Sequence, residues 1–315
     1  MALLIKEQKK YLLCRPSGGL NDTLNQIQKC FIYSKKFNRR LILDTKNSTF
    51  SDDWNHYFEM IDPTSDLLFY NNALGLELNS LSCFPKPLTG RITEYKTKLS
   101  VDKKKIIDCE SKAIISFDFN KKYQEDLVVH HQCGGGNQSF KAIQLFKLTP
   151  EISLMIKNIL KLNDKYVSIH IRNTDLKTTK DFRKTLRKLA AKEPLSKIFL
   201  ATDSYECQNF AKNLFKDRLL LFFEIPDLGN YPLHYSSSKD LPIYKRNMFS
   251  IIDLVLLAKG TKLYNCNYNI INAAIYLTKK VILRMHPPKM ISGFSRLAKF
   301  LHDNPKVLRK LIDGI

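Results

Sequence analysis

The sequence predicts an α/β fold in two halves, each built around a parallel sheet. The order strand, glycine turn, helix, strand opens the chain, and strands alternate with helices through the second half. A length of 315 residues corresponds to about two domains. The apolar fraction of 44% excludes a disordered or collagen-like chain.

The first half begins with an apolar run and a glycine turn, after which Leu24, Ile27 and Phe31 recur with helical spacing. Asn21 or Asp22 suits the N-cap of this helix. Prolines and polar residues between positions 46 and 139 predict loops and short elements. The predicted strands of this half are Tyr11–Cys14, Arg40–Leu43 and Ile114–Phe117.

The second half alternates more regularly and predicts a doubly wound parallel sheet. Two Rossmann-like domains are therefore expected, at residues 1–155 and 156–290, with a basic helical tail at 291–315. Such sheets bind ligands at the carboxyl ends of their strands, so a cleft between the domains is the expected site. The predicted strands are Tyr166–Ile171, Lys197–Ala201, Leu219–Phe223, Leu263–Asn265 and Lys280–Leu283, and the helices are Ile152–Leu162, Phe182–Ala191, Tyr205–Phe215, Met248–Ala258 and Ile270–Leu277.

The chain is strongly basic, with 51 Lys and Arg against 30 Asp and Glu, a net charge of +21. Such an excess is typical of a protein with an anionic partner: nucleic acid, a membrane surface or a phosphorylated small molecule. The basic residues are scattered over the whole sequence, so a general preference for lysine explains the excess equally well.

The seven cysteines are widely spaced and include no CxxC, which argues against a disulfide framework or a zinc site and favours a reducing compartment. The first residues lack the apolar core of a signal peptide. The longest apolar stretches, such as Ile251–Ala258, are too short to span a membrane. We therefore expect a cytoplasmic protein, soluble or attached to the inner face of a membrane.

Two groups of residues at strand ends are candidates for chemistry. Gly18 and Gly19 precede Asn21 and Asp22 where a strand gives way to a helix, a position that suits an anion. The alternative is an ordinary tight turn with Asn21 as the helix cap.

The second group is His170, Arg172 and Asp175 at the end of a predicted strand. His170 and Arg172 leave the same strand face, and Arg can grip a diphosphate through two parallel hydrogen bonds. The alternative makes His170 a satisfied core histidine and Arg172–Asp175 a structural ion pair.

Two further carboxylates stand out. Asp203 follows another apolar strand and is a candidate either for ligand contact or for capping the next helix. Asp253 interrupts an apolar helix, where a buried charge needs a partner. Its alternative is a solvent-facing turn of an amphipathic helix.

In combination these residues resemble the nucleotide-sugar fucosyltransferases of the GT-B fold, which include the rhizobial and animal α1,6-fucosyltransferases and the protein O-fucosyltransferases. The resemblance covers roughly residues 11–45 and 166–285. It rests on Gly18–Asn21, on the HxRxxD pattern of His170, Arg172 and Asp175, on Ala201–Asp203, and on Ile251–Ala258 followed by Tyr264–Ala274.

The resemblance implies a metal-independent, inverting transfer of L-fucose from GDP-β-L-fucose, without a cofactor. It implies an N-terminal domain on the acceptor side and a C-terminal domain that binds the nucleotide sugar, with their parallel sheets facing across a cleft. The implied roles are pyrophosphate binding by Arg172, the nucleotide end for His170, guanine for Asp253, pocket support by Asp203, and the sugar-phosphate for Asn21, Gly18 and Gly19.

Two departures from the family pattern stand out. Ser204 occupies a position where the family often has a second acid. The family's last motif usually carries serines that touch phosphate, whereas this stretch reads Asn267-Tyr268-Asn269. Asn269 is expected to donate a hydrogen bond instead, at a different reach.

The residues themselves agree with this chemistry, because no Asp-x-Asp occurs in the sequence. Without a metal clamp, a departing diphosphate needs fixed cations and backbone N–H groups. An inverting transfer also benefits from a base near the acceptor hydroxyl. Asp175 and Asp22 are the candidates, and Asp181 is a weaker third because it suits the cap of the following helix.

Other functions remain open at this point. The charge favours a nucleic-acid binder, although no basic cluster interleaved with aromatics is present. A non-catalytic sugar-nucleotide module and a transferase that uses another nucleotide sugar are further alternatives. The acceptor is expected to be a glycan or a lipid-linked oligosaccharide.

The C-terminal tail mixes apolar and basic residues at helical spacing. This pattern predicts either a pair of amphipathic helices lying on an anionic membrane or helices that pack back onto the protein. The apolar residues are Phe294, Leu297, Leu301, Val307, Leu308 and Leu311, and the basic ones are Arg296, Lys299, Lys306, Arg309 and Lys310.

Overall fold

The computed structural model describes residues 10–63, 66–102, 105–163, 165–173, 179, 181–227, 241–265 and 292–314. The chain divides into two compact units, Met1–Thr149 and Pro150–Ile315. Both contain a parallel sheet, as the sequence predicts. None of the helices within the described ranges combines the length and hydropathy that crossing a membrane requires.

The described part of the N-terminal unit forms a sheet of five parallel strands in the order β4-β2-β1-β8-β5. The pairs β3–β9 and β6–β7 are antiparallel and lie outside it. Its strands are β1 (Lys10–Cys14), β2 (Arg39–Leu43), β3 (Phe58–Met60), β4 (Leu67–Phe69), β5 (Cys83–Phe84), β6 (Thr97–Leu99), β7 (Ile106–Asp108), β8 (Leu127–His130) and β9 (Phe146–Leu148). Its α-helices are α1 (Leu20–Lys36), α2 (Asn72–Asn79) and α3 (Ser139–Ala142), with short 3-10 turns at Trp54–His56, Lys86–Leu88 and Ile143–Leu145.

Within the described residues, the C-terminal unit contains four parallel strands in the order β12-β11-β10-β13. Its strands are β10 (Val167–Ile171), β11 (Ile198–Thr202), β12 (Leu219–Leu220) and β13 (Lys262–Asn265). Its α-helices are α4 (Pro150–Leu162), α5 (Phe182–Lys192), α6 (Tyr205–Phe215), α7 (Ile243–Lys259), α8 (Gly293–Asp303) and α9 (Pro305–Asp313), with a 3-10 turn at Lys216–Arg218.

Strand β10 shows how the sequence positions the layers of the C-terminal unit. All five of its residues are buried, so both faces of the strand are covered. Ile169 belongs to a core that includes residues of α5 and α6. On the opposite face, the Ser168 hydroxyl donates to the Leu257 carbonyl of α7. Because side chains alternate along a strand, His170 shares the Ser168 face.

The two C-terminal helices pack onto their own unit. The His302 ring lies 3.0 Å from the Ala258 carbonyl at the end of α7, and the Ser153 hydroxyl of α4 donates to the Ile312 carbonyl. Their apolar residues are therefore covered by protein rather than displayed. The buried members are Leu297, Ala298, Leu301, Leu308, Leu311 and Ile312.

Three element predictions need correction. Helix α1 begins at Leu20 with Gly19 as N-cap, so Asn21 and Asp22 lie in its first turn. Ile114–Phe117 forms only an isolated bridge through Ile114, and β12 ends at Leu220 rather than Phe223. The predicted elements Ile270–Leu277 and Lys280–Leu283 lie outside the described residues.

Three buried histidines make the stability of the fold depend on pH. Burial lowers the pKa of His130, His131 and His170 to about 3, and neighbouring cations add to the effect. In the unfolded chain these rings have a pKa of about 6.5, so the unfolded state binds more protons as the pH falls below that value. The contribution of these neutral rings to the free energy of unfolding is therefore full above pH ~6.5 and is lost as the pH falls towards ~3. Asp253 offsets part of the loss, because burial raises its pKa.

We expect His130→Asn to reduce the slope of unfolding free energy against pH by about 1.4 kcal/mol per pH unit between pH ~5 and ~6. Urea unfolding across that range measures the slope. The control is His56→Asn, at a half-exposed ring outside the core. Equal slopes in the wild type and His130→Asn would contradict a buried neutral ring.

Candidate functional site

The carboxyl end of β10 brings a cation and a carboxylate together. Parallel pairing sets Ile171 opposite Thr202, so the residues that follow β10 lie beside Asp203, which follows β11. Asp203 Oδ1 accepts a hydrogen bond from the Asn173 N–H at 2.7 Å. Its other oxygen lies 3.7 Å from Arg172 Nε. The Arg172 side chain keeps 21% of its surface exposed, so a guanidinium held by protein still meets solvent.

Asp203 does not cap the next helix, so that alternative is wrong. The N-cap of α6 is Ser204, whose hydroxyl accepts from the Cys207 N–H at 3.3 Å. Asn173 Nδ2 also donates to this hydroxyl. The serine that departs from the family pattern therefore has a local role, and Asp203 is left to hold the end of β10.

His170 is satisfied within the protein, as its core alternative predicts. Nδ1 lies 2.5 Å from the Ser295 hydroxyl, and the ring packs against Phe294 at 5.1 Å between centroids. Burial, followed by the charge of Arg172, lowers its pKa to about 3. The imidazole is therefore neutral near pH 7, and it contributes hydrogen bonding rather than charge.

Ser292 and Ser295 lie beside this ring. Neither is among the site residues predicted from the sequence. Ser292 is the N-cap of α8 and accepts from the Ser295 N–H at 3.0 Å, while the two hydroxyls are 2.9 Å apart. The sequence feature that could have identified them is a serine at the start of an amphipathic helix, followed by a second serine three residues later. The N-terminus of a helix favours negative charge, so this end of α8 is chemically suited to an anion.

Asp253 is buried within α7, so the solvent-facing alternative is wrong. Burial raises its pKa well above the usual range, and no described residue donates a hydrogen bond to it. Arg246 and Asn247 are also buried at the start of the same helix, with Arg246 Nε 3.3 Å from Asn247 Oδ1. Helix α7 thus buries a polar group at each of these three positions among apolar ones.

Three further predicted residues have different outcomes. Asp181 is the N-cap of α5, where Oδ1 accepts from the N–H groups of Arg183 and Lys184 at 2.9 and 3.1 Å. Its capping alternative is therefore confirmed. Asp175 and Asn269 lie outside the described residues.

In the N-terminal unit, Arg15 follows β1 and is almost fully buried. Its Nε lies 2.6 Å from Asp44 Oδ2, and an NH1 hydrogen bond reaches the Ile92 carbonyl. The rings of Tyr70 and Tyr95 lie 5.2 and 4.8 Å from the guanidinium carbon. Burial by itself would lower the pKa of Arg15, but Tyr95 and Asp44 raise it above its ordinary value. Arg15 is a permanently charged structural anchor.

A chain of buried polar groups links this anchor to the glycine turn. The Tyr95 hydroxyl lies 3.1 Å from His131 Nδ1, and His131 Nε2 lies 3.2 Å from the Ser17 hydroxyl. Burial raises the pKa of Tyr95 to about 12 and lowers that of His131 to about 3. All three groups are neutral near pH 7, so they fix the residue before Gly18 by hydrogen bonding alone.

The structure brings Gly18, Gly19, Asn21 and Asp22 together at the start of α1. Gly18 has φ +107, and a side chain there would meet Asp22 Oδ2 at 2.7 Å. Asn21 Oδ1 accepts from the Ser139 hydroxyl at 2.8 Å, whereas Asn21 Nδ2 is buried without a partner among the described residues. An unused donor beside a helix N-terminus suits an oxygen-rich anion.

A second glycine segment, Gly134–Gly136, closes over the same turn of α1. The Gly134 carbonyl accepts from Asn25 Nδ2 at 3.0 Å and from Gln26 Nε2. A side chain at Gly135 would meet Asp22 Oδ1 at 2.4 Å and Asn21 Nδ2 at 2.7 Å. A Cβ at Gly135 would displace the ends of both side chains, so the glycine allows them to keep these positions.

One cluster of metal-ligating type occurs within the described ranges. Asp52, Asp53 and His56 can bring one ligand atom each to within 4.8 Å of one another. His56 Nδ1 already contacts Asp52 Oδ1 at 3.0 Å, and Lys46 Nζ lies 3.8 Å from Asp53. The cluster has protein partners of its own and does not include a residue of the two strand-end groups.

Comparison with solved structures places this fold beside those of fucosyltransferases. The fucosyltransferase NodZ from Bradyrhizobium matches with a TM-score of 0.56 at 17% identity, covering 92% of both chains. NodZ alpha-1,6-fucosyltransferase soaked with GDP-fucose gives 0.56 at 16% identity, covering 93% of this chain and 92% of that one. POFUT1 in its apo form gives 0.54 at 10% identity, covering 95% and 97%. Neither protein-family profiles nor curated sequences match. At these identities the comparison establishes a shared α/β fold.

We expect Gly135→Ala to lower the free energy of unfolding by about 0.5–1.5 kcal/mol, because the new methyl group forces the ends of the Asp22 and Asn21 side chains to move. Urea unfolding measures the change. Gly19→Ala is the control, since nothing lies within 4 Å of a Cβ there. Its weaker N-cap is offset by the smaller entropy of the unfolded chain. Equal stability in both variants would contradict the close approach at Gly135.

Proposed function

We propose that this protein is a glycosyltransferase that transfers L-fucose from GDP-β-L-fucose to a hydroxyl of a glycan, with inversion and without a metal ion. The fold supports this, because it is shared with fucosyltransferases of which one was soaked with GDP-fucose. The observation that most supports the proposal is the strand-end pair Arg172–Asp203. This pair presents a guanidinium where parallel sheets of this kind bind ligands.

Arg172 is assigned to the donor pyrophosphate. A guanidinium can grip a diphosphate through two parallel hydrogen bonds and keeps its charge at any working pH. Asp203 lies on the Nε side and sets the direction of the group. As the bond between fucose and phosphate breaks, negative charge grows on the diphosphate. A cation already in position stabilises that charge without reorganising, so Arg172 acts in the transition state.

The same arrangement supports the proposal that no metal ion is needed. The sequence has no Asp-x-Asp, the usual metal clamp of the other large glycosyltransferase fold. We propose that the N-terminus of α8, with Ser292 and Ser295, supplies the phosphate contacts that the family resemblance implies for serines. The assignment of a hydrogen bond to Asn269 stays a prediction.

Asp253 and His170 are assigned to the nucleoside. The two carboxyl oxygens of Asp253 match the two adjacent donors on the edge of guanine, and hydrogen bonds from those donors would favour the ionised form against the effect of burial. Guanine would thereby supply the hydrogen bonds that Asp253 does not receive from the described residues. His170 is neutral and fixed through Nδ1, so its contribution is a hydrogen bond from Nε2 or the packing of its ring.

The N-terminal unit is assigned to the sugar-phosphate and the acceptor. Gly18, Gly19 and Asn21 offer backbone and side-chain donors at the start of α1. Among the residues that the structure describes, Asp22 is the candidate for the base that takes the proton from the acceptor hydroxyl. Asp175 is the second candidate. A glycan or a lipid-linked oligosaccharide in a reducing, cytoplasmic compartment is the proposed setting.

We expect GDP to raise the melting temperature of the wild type and to leave Arg172→Ala unchanged, because the diphosphate loses its cation. A thermal-shift panel of GDP-, UDP-, CDP- and ADP-sugars measures both binding and base preference. Arg309→Ala removes an equal charge from an exposed position of α9 and should respond like the wild type.

Fucose transfer provides the second readout. Arg172→Ala should fold normally and lose turnover by at least about 100-fold. Wild-type activity in that variant would overturn the assignment. A stronger shift with UDP-glucose than with GDP-fucose would instead establish a transferase for another nucleotide sugar, and a shift with none would favour a different class of protein.

We expect Asp22→Asn to reduce transfer to the acceptor by about 100- to 10,000-fold while donor hydrolysis is kept, because water needs no positioned acceptor base. Asp175→Asn is tested in parallel, and Asp181→Asn is the control because that carboxylate caps α5. Parallel loss of transfer and hydrolysis would assign Asp22 a structural role.

A further inference from the structure

Helix α5 exposes a continuous basic face outside the proposed site. Five Lys and Arg residues recur along this helix at spacings of one, three and four residues. They therefore form two adjacent rows over about 15 Å of the helix. No acidic residue occurs between positions 182 and 192. The basic face of α5 consists of Arg183, Lys184, Arg187, Lys188 and Lys192.

Most of this charge is not neutralised. Arg183 pairs with Glu206 of α6. In the part of the chain that the structure describes, Lys184, Arg187, Lys188 and Lys192 form no ion pair. The acids at the two ends of the helix are engaged elsewhere. Asp181 accepts from backbone N–H groups, and Glu193 binds Lys262 at 2.9 Å and the Tyr264 hydroxyl at 2.6 Å.

The packing of α5 directs this charge away from the sheet. Phe182, Leu186 and Leu189 are buried in the core that contains β10 and β11. The helix therefore has no large apolar side chain left to insert into a partner. Any binding by this face is electrostatic, and it is reversible and sensitive to salt.

The excess charge is concentrated in the same unit. Residues 150–315 hold 29 Lys and Arg against 14 Asp and Glu, whereas residues 1–149 hold 22 against 16. Helices α8 and α9 each end in one acid, of which Asp303 pairs with Lys299 of α8 and Asp313 pairs with Lys157 of α4. The five basic residues of α5 lie on one helix, whereas the five of the tail are divided between α8 and α9.

We propose that the basic face of α5 docks the protein on an anionic lipid bilayer. Clusters of four to eight Lys and Arg on one helix are typical of surfaces that bind anionic headgroups, and each such residue strengthens binding about five-fold. A nucleic acid would be favoured by exposed aromatic rings between the cations. The aromatic ring within α5, Phe182, is buried. The part-buried rings of Phe210 and Tyr264 lie beneath Arg187 and Lys192, at 5.3 and 5.1 Å, rather than between the cations. The geometry thus favours lipid headgroups.

The test compares the full-length wild type with Lys184→Gln/Arg187→Gln/Lys188→Gln in sedimentation with vesicles of phosphatidylcholine and phosphatidylserine in a two-to-one ratio. The variant should bind about 100-fold more weakly. The matched control Lys306→Gln/Arg309→Gln/Lys310→Gln removes the same charge from α9 and should bind within about three-fold of the wild type. Lys184→Arg/Lys188→Arg keeps the charge and should bind like the wild type.

Three outcomes would overturn the proposal. They are equal losses in the α5 and α9 variants, no binding of the wild type to these vesicles, and α5-dependent binding to single-stranded RNA but not to vesicles. The proposal does not rest on the assigned reaction, and the thermal shift with GDP should be the same in the wild type and both glutamine variants. A thermal shift with GDP in the absence of vesicle binding would therefore overturn only the proposed membrane docking.

Discussion

The carboxylate of Asp203 is the interaction on which the candidate site depends. The hydrogen-bond ladder between β10 and β11 ends at Ile171 and Thr202, so beyond that point the backbone needs another constraint. Asp203 supplies it by accepting from the Asn173 N–H and lying beside Arg172. The direction of the cation is thus set by the neighbouring strand, and it is fixed before any ligand arrives.

The N-terminal unit uses the same device for a different purpose. Arg15 and Asp44 each follow a strand directly, and Cys14 pairs with Leu43, so they occupy the positions that Arg172 and Asp203 hold in the other sheet. Arg15, however, is enclosed between tyrosine rings and is 4% exposed. One pair is therefore closed and structural, while the other keeps its guanidinium open to solvent. Burial decides which arginine can meet a ligand.

The alternation of strands and helices made the two parallel sheets predictable, and the bounds of α6 follow from its apolar spacing alone. The sequence could not show that Ser204 caps α6 and frees Asp203, since both residues suit the cap. It could not place Ser295 against His170, which lies 125 residues away. The predicted N-cap of α1 is wrong for a similar reason: the Asn21 oxygen accepts from the Ser139 hydroxyl, which is distant in the sequence. Contacts between distant segments decide the chemistry, and local patterns do not contain them.

The order of strands in each sheet has a consequence for how the chain acquires its structure. Strand β1 pairs with β2 soon after synthesis, but its other neighbour β8 begins about 115 residues later, and β10 waits about 95 residues for β13. Contact order is therefore high, and closing such long loops slows folding to the range of milliseconds to seconds. Until β8 and β13 emerge from the ribosome, each central strand keeps an unpaired edge, which is the state in which chaperones have most to protect.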